Sequence, residues 1–173
     1  MPKEGATGVA IPVPEADPLL TAVGERFPEA VRAGVPAHVS VLYPFLPAVA
    51  LDDRVAGALW ELFAQQPVMS VQFAECYRRS EFVALRPDPV QGLRQLTNAV
   101  RARWPDLVPY EGAHGDIEPH LTVALHTAES RAAAVEREIV PERLPIPAEL
   151  REAWLLVFDG QWRLHQRFGL GIG

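Results

Sequence analysis

Two stretches of this chain alternate apolar and polar residues on the same plan. Pro36–Pro44 reads Pro-Ala-His-Val-Ser-Val-Leu-Tyr-Pro, and Pro119–Leu125 reads Pro-His-Leu-Thr-Val-Ala-Leu. Successive side chains on a strand point to opposite faces. As strands, the two stretches place His38 with Ser40 on one face, and His120 with Thr122 on one face. Val39, Val41, Leu121 and Val123 then point the other way, into a core. Each strand presents an imidazole beside a hydroxyl on an otherwise apolar ribbon, and the two ribbons lie about half the chain apart.

The rest of the pattern places elements around these strands. Gly8–Pro14 reads as a short strand whose prolines mark an edge or an exit. Asp17 reads as a helix N-cap with Pro18 in the first turn, followed by Leu19, Leu20, Val23 and Phe27 at helical spacing. Leu51–Gln66 reads as a second helix, capped by Asp52 or Asp53, with Val55, Leu59, Leu62 and Phe63 as its apolar stripe. Val68–Cys76 and Glu81–Arg86 read as strands, with Arg78, Arg79 and Ser80 in the hairpin turn between them. A third helix is predicted over 89–104, carrying Leu93, Leu96, Val100 and Trp104 on one face. The segment 105–118 is irregular, and long loops of this kind in compact domains are often functional. Glu129–Ile139 reads as a fourth helix. Ala153–Phe158 and Gln161–Leu170 read as a hairpin, joined by Asp159-Gly160 in a type-I′ turn.

Strand, helix, histidine strand, helix and hairpin thus run almost twice in order. This predicts one α+β domain over residues 1–173, with lobes of about 1–88 and 89–173 related by a pseudo-twofold axis. Two antiparallel sheets would line a central cleft, with helices outside.

Composition narrows the function classes. The chain of 173 residues is 49% hydrophobic, enough for a sizeable core, and carries a net charge of −6. An acidic chain is poorly suited to tracking a long phosphate backbone, where basic residues supply most non-specific affinity. A small nucleotide or an RNA end held at a few points stays compatible with it. Cys76 is the only cysteine, so an intrachain disulfide and a thiolate zinc cluster are both excluded. A reducing, cytoplasmic setting is expected. The N-terminal residues lack a signal-peptide apolar core, and no apolar run reaches membrane-spanning length. A monomer is expected.

Two facing histidines suit in-line displacement at phosphorus. One, neutral, takes a proton from the attacking oxygen; the other, protonated, delivers one to the departing oxygen on the opposite side. Ser40 and Thr122 would donate hydrogen bonds to the non-bridging oxygens, where charge builds. The scheme needs no cofactor and no metal.

The paired motifs His38-Val39-Ser40-Val41 and His120-Leu121-Thr122-Val123 resemble the two signatures of the 2H phosphoesterase superfamily. The longer wording His-Val-Ser-Val-Leu-Tyr-Pro-Phe most resembles bacterial proteins of the 2′-5′ RNA ligase family. The resemblance implies a bilobal α+β fold with both motifs lining a cleft. It also implies metal-independent hydrolysis of 2′,3′-cyclic phosphates or 2′-5′ linkages on a nucleotide or RNA end. Position 40 is Ser where Thr is commoner in the family, and the hydroxyl is kept. Some members carry a Tyr five residues after a motif histidine, near the phosphate, and Tyr43 matches that position. By strict alternation Tyr43 faces away from His38, so this carry-over requires Pro44 or a bulge to turn the strand end.

Other residues carry competing readings. Tyr110 and Tyr43 could stack on a nucleobase, whereas Phe45 and Trp162 read as core or lobe-edge cover. Arg78, Arg79 and Arg86 could meet a phosphate, but default to a solvated hairpin. His114, Asp116, Glu118, His120 and His126 cluster in sequence and would be the ligands of a rival metal-dependent hydrolase. His126 shares a face with His120 and Thr122 at the strand end, and His165 reads as a surface residue. A non-catalytic module that binds a nucleotide or RNA end in the same cleft is the other alternative. Binding alone, however, has no need of two proton carriers.

Overall fold

Val39, Val41, Leu121 and Val123 are all buried, as period-two alternation requires, and they anchor the two histidine strands in the middle of the molecule. The computed structural model describes residues 2–32, 34–79, 82–112 and 118–171. Its strands are β1 (Thr7–Pro12), β2 (His38–Leu42), β3 (Met69–Arg79), β4 (Phe82–Asp88), β5 (Leu121–Ala124), β6 (Ile146–Leu150), β7 (Glu152–Phe158) and β8 (Trp162–Gly169). All pairings are antiparallel.

The strands form one eight-stranded sheet in the order β6-β3-β4-β5-β2-β1-β7-β8. The expected two sheets are therefore a single sheet. Its halves, β6-β3-β4-β5 and β2-β1-β7-β8, meet where the two histidine strands pair, through Val39 opposite Leu121. Each half combines two strands from the first half of the chain with two from the second.

The helices are α1 (Asp17–Arg26), α2 (Asp53–Ala64), α3 (Gln91–Arg103) and α4 (Glu129–Ala134), the last continuing as a π turn over Val135–Ile139. α2 begins as predicted, with the Asp52 carboxylate accepting from the Val55 N–H at 2.9 Å. It lies against β8, where Phe63 meets Phe168 at 5.6 Å between ring centres. α3 lies against β2 and buries Leu93, Leu96 and Val100. None of the helices among the described residues is long and apolar enough to cross a membrane.

Several local expectations are corrected. Asp17 does not cap α1; it is the first helical residue, and its Oδ1 accepts from the Ala37 N–H at 2.8 Å, just ahead of β2. β1 is a central strand, buried along its whole length, so its prolines mark an exit and not an edge. β6 escaped the sequence pattern because Pro145 and Pro147 break it. It is an edge strand, where a missing N–H is tolerated. Arg78 and Arg79 belong to β3 rather than to a turn, while Ser80 and Glu81 lie outside the described residues. Between Phe158 and Trp162 only Gly160 has a positive φ, of 84°, whereas a type-I′ turn requires one at both central residues.

Candidate active site

His38 opens β2, and His120 immediately precedes β5. Each imidazole is held in the same way by its own chain. His38 Nδ1 lies 2.8 Å from the Pro36 carbonyl, and His120 Nδ1 lies 2.9 Å from the Glu118 carbonyl. A carbonyl oxygen can only accept, so in both rings Nδ1 carries the hydrogen. Nε2 is left as the nitrogen that exchanges a proton with a ligand. Asp17, through Ala37, fixes the backbone that enters β2.

Alternation then carries Ser40 and Thr122 to the same side as the imidazoles. His38, Ser40, His120 and Thr122 all line one cavity of about 780 Å³. Burial pushes both imidazoles below their ordinary pKa of 6.5, and the carbonyl bonds oppose this in part. The charges of Arg32 and of His120 lower His38 further, and that of Arg79 lowers His120.

The cavity has room because β1 supplies small residues, Gly8 and Ala10, beneath it. A Cβ on Gly8 would stand 3.3 Å from Tyr43 Cδ2, so the aromatic ring rests on that glycine. Tyr43 does line the cavity. Strict alternation fails there because β2 ends at Leu42 and the β1–β2 register shifts between Val9 and Ala10. Tyr110 lines the cavity too, its N–H donating to the Tyr43 carbonyl at 2.6 Å. The ring centre of Tyr43 lies 6.1 Å from that of Tyr110 and 5.8 Å from that of Trp162. Trp162, read from the sequence as core or edge cover, is thus part of the cavity wall. Phe45 is buried in the core as expected, edge-on to Trp104.

The opposite wall includes two of the arginines that could meet a phosphate, Arg79 and Arg86, against their default reading as a solvated hairpin, and adds Tyr77 and Phe82, which the sequence pattern did not single out. Tyr77 and Arg79 of β3, with Phe82 and Arg86 of β4, face the cavity. Phe82 stands edge-on to His120, with ring centres 5.4 Å apart. Arg86 lies 4.1 Å above the centre of the Tyr77 ring and pairs with Glu75 at 2.5 Å. The signal was hidden by a bulge. Met69, Val71 and Phe73 face the core, but the ladder to β4 shifts between Phe73 and Glu75. The extra residue turns Cys76 toward the core and Tyr77 and Arg79 toward the cavity. Of the three arginines read as a solvated hairpin, only Arg78 stays away from the cavity, paired with Glu129 and Glu136.

His126 lines the cavity at an exposed position, with φ at 53°. His165 is exposed on β8, as expected. His114 and Asp116 lie outside the described residues. Among the described residues no three His, Cys, Asp or Glu side chains come together as metal ligands. Glu118 is engaged by Arg94, whose Nε and Nη2 donate to it at 3.2 and 3.0 Å.

Comparison with known proteins agrees with this arrangement. The family model of the 2′-5′ RNA ligase superfamily matches residues 12–162. No curated protein sequence matches. Among solved structures, E. coli LigT complexed with 3′-AMP is 21% identical, covers 98% of this chain and 99% of its own, and superposes with a TM-score of 0.62. LigT complexed with NADP+ gives 23% identity, the same coverage and a TM-score of 0.63. The TT0787 protein of Thermus thermophilus gives 14% identity, 95% and 97% coverage, and a TM-score of 0.60. At these identities the likeness speaks for a shared fold. The family match extends over most of the chain and takes in both histidine motifs, so this protein belongs to the 2′-5′ RNA ligase superfamily, the 2H phosphoesterases.

Proposed function

We propose that the protein is a metal-independent phosphodiesterase that opens 2′,3′-cyclic phosphates, or cleaves 2′-5′ linkages, on a nucleotide or RNA end. The observation that carries this reading is the matched pair of imidazoles. Both Nδ1 atoms are tied to carbonyls, both rings line one cavity, and each has a hydroxyl two residues further along. Membership of the 2H phosphoesterases supports the reaction class. The complexes of LigT with 3′-AMP, NADP+ and ATP support a small nucleotide as ligand.

In the hydrolytic step one neutral imidazole accepts a proton from water at Nε2 as the water oxygen bonds to phosphorus. The other, protonated, gives its Nε2 proton to the ribose oxygen whose bond to phosphorus breaks. The product is a phosphomonoester, and the two imidazoles have exchanged protonation states. Ser40 and Thr122 donate to the non-bridging oxygens as charge gathers there. In cleavage of a 2′-5′ linkage, the neighbouring 3′-hydroxyl replaces water as the nucleophile and the 5′-oxygen leaves.

Each of His38→Ala and His120→Ala is expected to lower hydrolysis of a nucleoside 2′,3′-cyclic phosphate by about 10²–10⁴-fold. The thermal unfolding transition should stay near that of the parent. Activity should survive exhaustive treatment with chelator. Parent-like turnover in either variant would overturn the proposal. Loss of activity on chelation would favour a metal-dependent hydrolase, and tight nucleotide binding without turnover would favour a binding module.

A further inference from the structure

The charges around the cavity are opposite in sign to those of the whole chain. The protein carries a net charge of −6, yet the charged side chains lining the cavity are Arg32, Arg79, Arg86 and Glu118. Glu118 is already matched by Arg94, and Arg86 by Glu75. Arg32 and Arg79 have no carboxylate partner among the described residues. Both are exposed. Both line the cavity, and the charge of Arg32 acts on His38 while that of Arg79 acts on His120.

A phosphodiester carries one negative charge, one fewer than these two guanidiniums supply. In a cyclic phosphate the 2′- and 3′-oxygens are both bonded to the reacting phosphorus, and C1′ bears the base. The 5′-oxygen is the ribose position left for another anionic group. Resting on the functional reading above, we infer that the substrate carries a second phosphate on its 5′-oxygen, and that Arg79 binds it. Arg79 is paired across the ladder with Phe82, and Phe82 stands edge-on to His120. Phe82 and Tyr77, 6.0 Å apart between ring centres, form an aromatic shelf that runs from His120 to this guanidinium, which lies 5.8 Å from the centre of the Tyr77 ring. A ribose or base seated on that shelf puts the reacting phosphate toward His120 and the 5′-phosphate toward Arg79. Guanidinium is suited to the task by its forked donors.

The test is calorimetric binding of adenosine 3′,5′-bisphosphate against adenosine 3′-monophosphate. The bisphosphate is expected to bind about tenfold tighter or more, as a charge-assisted hydrogen bond provides. The advantage should shrink as salt is raised. Arg79→Gln should abolish the advantage, and Arg79→Lys should restore part of it. A 3′-phosphorylated dinucleotide shows whether the 5′-phosphate belongs to a strand: tighter binding than the bisphosphate places it there, and weaker binding marks a free nucleotide. Equal affinity for the two adenosine ligands, no binding of the bisphosphate, or an advantage that survives Arg79→Gln would each overturn the inference. The readout is binding, so it stands apart from turnover. Hydrolysis without a bisphosphate preference sinks this inference alone, and a preference without hydrolysis sinks only the reaction.

Discussion

The bonds from His38 and His120 to the carbonyls of Pro36 and Glu118 settle which ring nitrogen is free, and burial favours the neutral form of each ring. Both pKa values are held below 6.5. A mechanism that needs one neutral and one protonated imidazole is most active between the two values. The kcat/KM profile should therefore be bell-shaped with its maximum on the acid side of pH 6.5. A bound phosphate favours the imidazolium, so the kcat profile should lie at higher pH than the kcat/KM profile. Steady-state rates from about pH 4 to about pH 9 would show both, and a single-limbed profile still rising at about pH 8 would contradict the pair. The same shifts affect stability. In the folded protein the rings stay neutral at pH values where the unfolded chain, titrating near 6.5, has taken up protons. The unfolded state then binds more protons, so this contribution is complete above pH 6.5 and is lost as pH falls toward the folded values. At this scale the sequence is readable wherever alternation is unbroken. Period two alone puts His38 with Ser40, and His120 with Thr122, each pair on one face of its own strand. It misplaces Tyr77 and Arg79, because one bulge residue in β3 reverses their faces.

The elements around the site are held by bonds that local signals misassign. Asp17 followed by Pro18 has every mark of a helix start, yet its carboxylate accepts from Ala37, twenty residues on. Side-chain capping is a short-range rule, and a long-range donor that needed an acceptor took this carboxylate instead. Ala37 is buried, so its N–H has no solvent to turn to. Asp17→Ala should destabilise the protein by about 1–3 kcal/mol, the cost of an unpaired buried donor. It should also lower kcat, because Ala37 leads directly into His38. Asp17→Asn keeps an acceptor and should recover most of both. Urea unfolding with parallel kinetics tests this, and an Asp17→Ala protein as stable as the parent would refute it. Helices α2 and α3 were legible because their apolar stripes repeat at helical spacing. β6 was not, since its prolines suit an edge strand only once its neighbour β3 is known.

At the scale of the whole molecule, the sheet is continuous but its two halves join at a narrow seam. That seam is the pairing of β2 with β5, registered through Val39 and Leu121. Each of these residues sits between a histidine and a hydroxyl residue, in His38-Val39-Ser40 and His120-Leu121-Thr122. The seam therefore sets the relative position of the two half-sites. Repetition of the two motifs was visible in the sequence. That their strands pair with each other was not, because the order of strands in a sheet depends on long-range contacts that no local pattern encodes. Leu121 is fully buried, and Leu121→Ala should cost about 2–5 kcal/mol. Leu150, equally buried in edge strand β6, should cost a similar amount when replaced by Ala. The two variants should part company in catalysis. Loosening the seam moves one half-site against the other, and a displacement near 1 Å can lower a rate by about 10²-fold. Well below the unfolding transition, Leu121→Ala should lose at least about tenfold in kcat, Leu150→Ala should stay near the parent, and Leu121→Met, which keeps the volume, should recover both stability and rate. Equal losses of kcat in the two alanine variants would mean that overall stability, and not the seam, governs the alignment of the histidines.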